Sequence, residues 1–151
     1  RGRTAQKEHA MVAEKVKVEK RPDRTLGGVH EEFWKFTAKG ELRIQECNKC
    51  HRRFWPPVPA CDNCGSTDIA WNKVSGKGKI ISFCTFEKQY YQELAPPWDV
   101  IVVELEEGPI FLSNPLGFTW KDITKDMKVK VSFVACEDKH GQFKLPVFEK
   151  A

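Results

Sequence analysis

Cysteines are the residues of this 151-residue chain whose type and spacing are best suited to chemistry. Cys47, Cys50, Cys61 and Cys64 follow the pattern C-x2-C-x10-C-x2-C. A C-x2-C turn presents two thiolates to one side of a metal ion, and zinc prefers four such ligands in a tetrahedron. The spacing therefore predicts a structural zinc ribbon. An iron centre of rubredoxin type is the alternative metal site, and two disulfides are the alternative pairing.

The residues around this pattern indicate what the metal does. Four cysteine ligands leave no open position for water or substrate, so we expect the metal to hold the fold and not to catalyse. Pro56, Pro57 and Pro59 exclude a helix between the two cysteine pairs and favour an extended crossing. His51 follows the first pair, and we interpret it as a surface residue in preference to a spare ligand.

The other two cysteines, Cys84 and Cys136, lie in or next to predicted strands. A reactive thiolate needs a base or a cation beside it, and neither strand supplies one. We interpret both as small buried apolar residues, with a Cys84 nucleophile as the less favoured alternative. The sequence also lacks a Ser-His-Asp order, a phosphate-binding loop and a dinucleotide motif, so no catalytic residue is expected.

The elements that must position these residues are mainly strands. Before the ribbon, Val29, Phe33 and Phe36 form an apolar stripe of helical spacing, and Gly40 supplies the stop. After it, five short runs rich in Val, Ile and Phe predict the five strands of an OB-fold barrel. These strands are Lys79–Phe86, Val100–Leu105, Ile110–Ser113, Lys128–Ala135 and Leu145–Phe148.

These predictions divide a mainly β chain into four parts. We expect a flexible basic arm over residues 1–28, a docking helix over 29–40, a zinc ribbon over 41–75 and an OB-fold over 76–151. The connection from Glu87 to Asp99 is unusually aromatic, with Tyr90, Tyr91 and Trp98. Either this loop folds back and buries its own rings, or it is an interface or a ligand-covering loop.

The formal net charge of +4 is concentrated at the start of the chain. Residues 1–29 contain 8 basic and 4 acidic residues, whereas residues 30–151 contain 17 of each. The neutral body disfavours nucleic-acid binding, because phosphate neutralisation supplies most non-specific affinity. No apolar run reaches the roughly 18 residues of a membrane helix, and no signal peptide is visible. We therefore expect a soluble, cytoplasmic protein.

The combined order of motifs resembles the rubredoxin-like zinc-ribbon plus OB-fold proteins that accompany acyl-CoA enzymes. The resemblance extends over about residues 30–150, and His51 stands where relatives often carry glycine. It is carried by Phe33-Trp34, Gly40-Glu41-Leu42, Gln45, the four spaced cysteines, Phe54, Pro56-Pro57, Gly65, Trp71, Ser75-Gly76, Gly78, Val103-Glu104-Leu105, Glu107-Gly108-Pro109, Leu145-Pro146 and Phe148.

The resemblance implies a non-catalytic partner of a thiolase-superfamily enzyme, with the CoA thioester bound mainly by the partner. Reactions served in the family include thiolytic cleavage of 3-oxoacyl-CoAs, acetyl transfer between thiolase and synthase, and retro-aldol cleavage of steroid side chains. An added N-terminal stretch makes the chain similar to the small subunit of benzoylsuccinyl-CoA thiolase in anaerobic toluene degradation.

Two functional questions stay open at this point. Arg52, Arg53, Trp55 and Lys88 are candidates for direct contact with CoA, but we favour a solvated basic surface and leave the cofactor-binding residues unknown. The alternative function is a single-stranded nucleic-acid-binding module, since OB-folds and zinc ribbons both serve that role.

Overall fold

The computed structural model describes residues 17–151. In this part of the chain, none of the helical segments is both long enough and apolar enough to cross a membrane. The elements are β1 (Glu19–Lys20), α1 (Val29–Ala38), β2 (Arg43–Cys47), β3 (Arg53–Phe54), β4 (Ile69–Lys73), β5 (Lys77–Phe86), β6 (Trp98–Leu105), β7 (Ile110–Ser113), a 3-10 turn (Trp120–Asp122), β8 (Lys128–Asp138) and β9 (Gly141–Lys150).

Strands β5 to β9 form the barrel that the sequence predicts. β5 pairs antiparallel with β6 along most of its length but with β8 only through Lys77–Lys79. β6 pairs with β7, and β8 pairs with β9 over its whole length. The backbone N–H of Leu116 donates to the carbonyl of Phe148 at 2.8 Å, which joins the end of β7 to β9 and closes the barrel.

Glycine allows the barrel strands to approach one another closely at Gly78. A Cβ at this position would lie 2.5 Å from the carbonyl oxygen of Glu104 and 2.7 Å from the side chain of Val103. A larger residue would push β5 away from β6, because backbone atoms cannot yield as a flexible side chain can. Gly78, near the start of β5, therefore allows the short distance between β5 and β6.

The ribbon is a three-stranded antiparallel sheet in the order β3-β2-β4, with the cysteine turns at its end. Leu42 and Ile44, on and before β2, are almost completely buried. They belong to one continuous apolar core that also includes barrel residues such as Val103 and Phe148. The ribbon therefore packs directly on the barrel and does not form an independent lobe.

Helix α1 packs between the ribbon and strand β9. Phe33 is buried, as the apolar stripe predicts, and Thr37 one turn later is also buried while its hydroxyl donates to the carbonyl of Trp34. The helix ends at Ala38, and Gly40 adopts a positive φ of 74°. Glycine takes this left-handed conformation readily, which explains why the helix stops here.

The segment before α1 differs from the sequence-based prediction of a flexible arm over residues 1–28. Strand β1 pairs parallel with β8, and the backbone N–H of Arg21 donates to the carbonyl of Glu137 at 3.0 Å. Because these partners lie more than 100 positions away in the chain, local composition gave no sign of them. Residues 1–16 of the predicted arm lie outside the described residues.

Candidate functional site

The two cysteine turns have the same backbone design. The N–H of His51 donates to the carbonyl of Cys47 at 2.8 Å, and that of Gly65 donates to the carbonyl of Cys61 at 2.9 Å. His51 and Gly65 both have a positive φ, of 60° and 72° respectively. Each turn thus reverses through a left-handed residue directly after its second cysteine, and the two turns face each other.

These turns bring the thiols of all four predicted metal ligands together. The four Sγ atoms lie within 4.8 Å of one another. The Sγ atoms of Cys47 and Cys64 are 3.6 Å apart, as are those of Cys50 and Cys61. A tetrahedral ion with metal–sulfur bonds of about 2.3 Å requires sulfur separations of about 3.8 Å. The four thiols therefore fit a zinc ion.

The electrostatics of the cluster also suit a cation. The backbone N–H of Arg52 and the side chain of Asn63 lower the pKa of Cys50. The N–H of Ser66 acts in the same direction on Cys64, but burial and the neighbouring thiols raise the pKa of Cys64 above its ordinary value. The thiols therefore differ in how readily they ionise, and a bound dication would favour the thiolate form of all four by offsetting two of their four negative charges.

A buried glutamine that the metal prediction did not include holds the proline-rich crossing. Pro56, Pro57 and Pro59 have no backbone N–H, so Val58 carries the only backbone donor between them. That N–H donates to Oε1 of Gln45 at 2.8 Å, and Gln45 is only 2% exposed. Gln45 lies on the central strand β2 and fixes the path that carries the chain from one cysteine pair to the other.

Three of the four candidate CoA contacts are engaged with other residues. Arg52 forms two hydrogen bonds with the carboxylate of Asp62 at 2.7 and 3.0 Å, which links the two cysteine turns. Arg53 donates to Glu46 at 2.9 Å. Trp55 packs against other aromatic rings, and Lys88 is exposed on the loop between β5 and β6. These contacts agree with our interpretation of a basic surface.

The two remaining cysteines have different environments. Cys136 is completely buried, as predicted, and this burial raises the pKa of its thiol although the Arg21 charge opposes the shift. A thiol of this kind is a poor nucleophile at neutral pH. Cys84, in contrast, is exposed on β5, so the prediction that it is a buried residue is wrong. Cys84 pairs with Val100 and lies on the outward side of the barrel sheet, which the apolar sequence did not reveal.

The aromatic residues of the connection between β5 and β6 have two kinds of environment, one stacked and one exposed. Trp98 stacks on Phe86 with ring centroids 4.1 Å apart and an angle of 5° between the planes. Tyr90 meets the edge of Phe86 at 5.8 Å yet stays 66% exposed, and Tyr91 is 51% exposed. The loop therefore does not bury its own tyrosines, which argues against the folded-back alternative.

Comparison with known proteins agrees with this geometry. Residues 34–70 match the profile described as "ChsH2, rubredoxin-like zinc ribbon domain", and residues 71–134 match "ChsH2, C-terminal OB-fold domain". The chain is 31% identical over 105 residues to a "DUF35 domain-containing scaffold protein" of Pyrococcus furiosus and covers 74% of it. The chain thus belongs to the ChsH2 (DUF35) family of zinc-ribbon and OB-fold proteins.

Two further similarities connect the family to acyl-CoA enzymes. A chain of the solved structure "Ltp2-ChsH2(DUF35) aldolase" superimposes with a TM-score of 0.75 and 26% identity over 85% of this chain and 98% of that one. A "Probable enoyl-CoA hydratase alpha subunit" of Thermomonospora curvata is 31% identical over 120 residues, and this chain spans 37% of its length. The predicted fold and family are confirmed.

Proposed function

We propose that the chain is a non-catalytic zinc-ribbon and OB-fold subunit of a thiolase-superfamily acyl-CoA enzyme complex. In this role it supports CoA-dependent cleavage of a C–C bond in a 3-oxoacyl-CoA. Benzoylsuccinyl-CoA, in anaerobic toluene degradation, is the narrower hypothesis for the substrate. The observation that carries the proposal is the likeness to nearly the whole chain of the Ltp2-ChsH2(DUF35) aldolase.

The chemistry of the described residues supports a non-catalytic role. Within residues 17–151, the group of His, Cys, Asp or Glu side chains placed to hold a metal is the four-cysteine cluster. Such a shell is complete without water or substrate, so the ion would stabilise the ribbon. We therefore assign the reacting groups to the partner subunit of a cytoplasmic hetero-oligomer.

The identity of the metal is the first part of the proposal to test. Sulfur separations of 3.6 Å suit zinc, but four thiolates also suit iron. Metal analysis of the purified chain should give one zinc per chain, and the protein should be colourless. One iron per chain with visible thiolate-to-iron absorption would contradict the zinc assignment and leave the structural role of the site unchanged.

We assign the CoA thioester mainly to the partner. Arg52 and Arg53 already pair with Asp62 and Glu46, so binding phosphate would require these pairs to open. A purified chain titrated with CoA should accordingly give no saturable binding in calorimetry at micromolar concentrations. Binding by the partner should be unchanged in an Arg52→Gln variant of this chain, with Lys49→Gln as the matched surface control.

The complex itself is tested by capture and activity. The tagged chain is used to recover partners from native extract, the partners are identified by mass spectrometry, and the recovered complex is assayed with a 3-oxoacyl-CoA and free CoA. We expect a thiolase-family subunit whose cleavage activity depends on this chain. The chain alone should be inactive.

Two results would contradict the proposal in different ways. Salt-dependent binding of single-stranded oligonucleotides without a thiolase partner would favour the nucleic-acid-binding alternative. Turnover by the purified chain that disappears in a Cys84→Ala variant would identify it as an enzyme in its own right.

A further inference from the structure

One face of the barrel is exposed and mainly apolar. Pairing of Ser82 with Val102 and of Cys84 with Val100 places these side chains on the same side of the sheet. The alternate residues of β6 are buried in the core, so this side points outward. We call it the outer face, and it consists of Ser82, Cys84, Val100, Val102, Ile110 and Leu112, with the Phe86–Trp98 stack at one end.

The outer face exposes large apolar side chains. Leu112, on the outermost of its three strands, is 63% exposed and Ile110 is 47% exposed. Isolated apolar residues on a surface are common, whereas adjoining exposed apolar side chains are a frequent feature of interaction sites. Lys79 and Glu104 point to the same side, where they form a salt bridge at 3.5 Å opposite Ile110, at the end of the outer face away from the Phe86–Trp98 stack.

The size of the face shows that it cannot be a complete interface by itself. With about 3.4 Å per residue and about 4.8 Å between strands, three strands and seven residues cover roughly 20 by 14 Å. This is about a third of the roughly 800 Å² that each partner buries in a standard interface. Adjoining elements must therefore contribute contacts.

The loop between β5 and β6 adjoins the outer face and has the required composition. Tyr90 touches the edge of Phe86, which belongs to the terminal stack, and Tyr91 follows it with half of its surface exposed. Tyrosines supply large, rigid contacts at low entropic cost and are enriched at interface hot spots. Exposed polar residues around them form a rim: Glu87, Lys88, Gln89, Gln92 and Glu93.

The charge of the surface identifies its occupant. OB-folds commonly bind ligands on their second and third strands and on the loop after the first strand, which here are β6, β7 and residues 87–97. A nucleic-acid ligand would require Lys and Arg along this surface to neutralise phosphates. Since Lys79 at the end of the outer face is paired with Glu104 and the members of the face are uncharged, this surface has no surplus positive charge and is complementary to an apolar protein surface.

We propose that the outer face, together with Tyr90 and Tyr91, is the surface on which the acyl-CoA enzyme subunit docks through an uncharged apolar patch. This inference rests on the proposed function for the identity of the partner. It adds which side of the chain that subunit covers, and it leaves the ribbon and the segment before α1 outside the central contact.

Cys84 provides a reporter within the proposed surface. It is exposed, whereas Cys136 and the cysteines of the metal cluster are buried or half-buried. The metal-bound chain is treated with iodoacetamide alone and with the thiolase-family subunit recovered by the capture experiment and then produced in pure form. We expect alkylation of Cys84 in the free chain and at least a tenfold slower reaction in the complex.

A matched pair of substitutions tests the surface without relying on Cys84. Leu112→Asp places a charge on the most exposed apolar residue of the outer face, and Leu26→Asp makes the same change at another exposed leucine, before α1. Both sites are exposed, so both variants should keep the circular dichroism spectrum and metal content of the wild type. We expect Leu112→Asp to weaken partner binding at least 100-fold and Leu26→Asp to change it less than threefold.

The outcomes separate this inference from the proposed function. If the thiolase-family subunit binds while Cys84 stays reactive and Leu112→Asp binds normally, the docking surface is wrong and the proposed function stands. If a protein of another class protects Cys84 from alkylation and does not bind the Leu112→Asp variant, the docking surface is correct and the thiolase proposal fails. Protection of Cys84 by a single-stranded oligonucleotide, or failure of the chain to bind any protein, overturns both.

Discussion

His51 is the residue at which the two otherwise matching cysteine turns differ. It has a φ of 60° where the second turn uses Gly65, and a left-handed conformation costs a residue with a Cβ about 1–2 kcal/mol. We expect His51→Gly to raise the free energy of unfolding of the metal-bound chain by about 1 kcal/mol, measured by urea denaturation. The mirrored change Gly65→His should lower it by a similar amount, although space is open around Gly65. If both variants had the same free energy of unfolding as the wild type, backbone strain at these two positions would not determine the stability of the chain.

Gln45 is the second residue whose role can be tested alone. Replacement by methionine keeps the length and apolar stem of the side chain but leaves the N–H of the half-buried Val58 without its acceptor. An unsatisfied buried donor costs about 1–3 kcal/mol, so Gln45→Met should lower the free energy of unfolding by that amount. Gln89→Met, on the exposed loop, is the matched control and should have no measurable effect. A neutral result at Gln45 would mean that water replaces its oxygen.

At the residue scale, the sequence predicts the metal-ligating cysteines better than it predicts the residues that hold the segment between them in place. The four cysteines are recognisable because metal coordination restricts both residue type and spacing. Gln45 is not recognisable, because a polar residue in a strand normally indicates the solvent side, and its partner Val58 is brought close only by folding. The burial predicted for Cys84 is wrong for the opposite reason, since an apolar run does not reveal which of its residues point out of the barrel.

At the element scale, an ion pair between Arg24 and Asp138 attaches the segment before α1 to the end of β8. The guanidinium donates to both carboxylate oxygens at 2.7 and 3.1 Å, and it lies over the rings of Phe143 and Trp34 at 4.1 and 5.4 Å. The side chain of Asp138 is completely buried and also accepts the backbone N–H of His140. This pair connects the segment to the β8–β9 hairpin and to α1.

The ion pair predicts a specific dependence of stability on pH. Hydrogen bonding from Arg24 holds the pKa of Asp138 below its ordinary value in the folded chain. Its contribution is therefore complete above the unfolded pKa of about 4 and is lost as the pH falls through the lower folded value. Asp138→Asn should lower the free energy of unfolding by about 3 kcal/mol at pH 7, as expected for a broken buried pair.

The measurement is urea denaturation of wild type and variant between pH 2.5 and 7, and the difference between them should shrink only below about pH 4. Asp62→Asn, which breaks an exposed pair, serves as the control and should have little effect at any pH. A difference that does not change with pH would assign the loss of stability to packing and not to charge.

The elements themselves were largely predictable, whereas their connections were not. The helix and all five barrel strands lie where apolar periodicity placed them, although β8 and β9 extend further, to Asp138 and from Gly141. Hairpins extend past their apolar stretch because backbone pairing continues where the side chains are polar. The contacts of Glu19–Lys20 and Arg24 within the predicted arm could not be foreseen, because their partners, β8 and Asp138, lie at the far end of the chain.

At the scale of the whole molecule, aromatic rings join the three parts of the fold. Trp55, at the start of the crossing between the cysteine pairs, contacts Phe33 of α1 at 4.5 Å and Phe111 of β7 at 4.6 Å between ring centroids. Phe111 in turn contacts Phe148 of β9 at 6.1 Å. A structural change at the metal cluster would therefore affect the barrel core through the contacts of Trp55.

Loss of one metal ligand should consequently affect more than the ribbon. Cys61→Ser removes one thiolate, so we expect zinc to be lost on dialysis against a chelator and the ribbon to unfold, because zinc binding supplies the folding free energy of such small segments. Cys84→Ser is the matched control, since it changes an exposed cysteine outside the cluster and should retain one zinc per chain.

The two variants are compared by metal analysis and by amide NMR spectra. In Cys61→Ser we expect the signals of residues 47–66 to collapse and those of Phe33, Phe111 and their neighbours to shift, while β8 and β9 keep their dispersed signals. Binding to the partner should weaken, because β7 carries both Phe111 in the core and Leu112 on the outer face. An unaltered barrel spectrum with full partner binding would show that the metal stabilises only the ribbon, and that the aromatic contacts at Trp55 do not couple it to the docking surface.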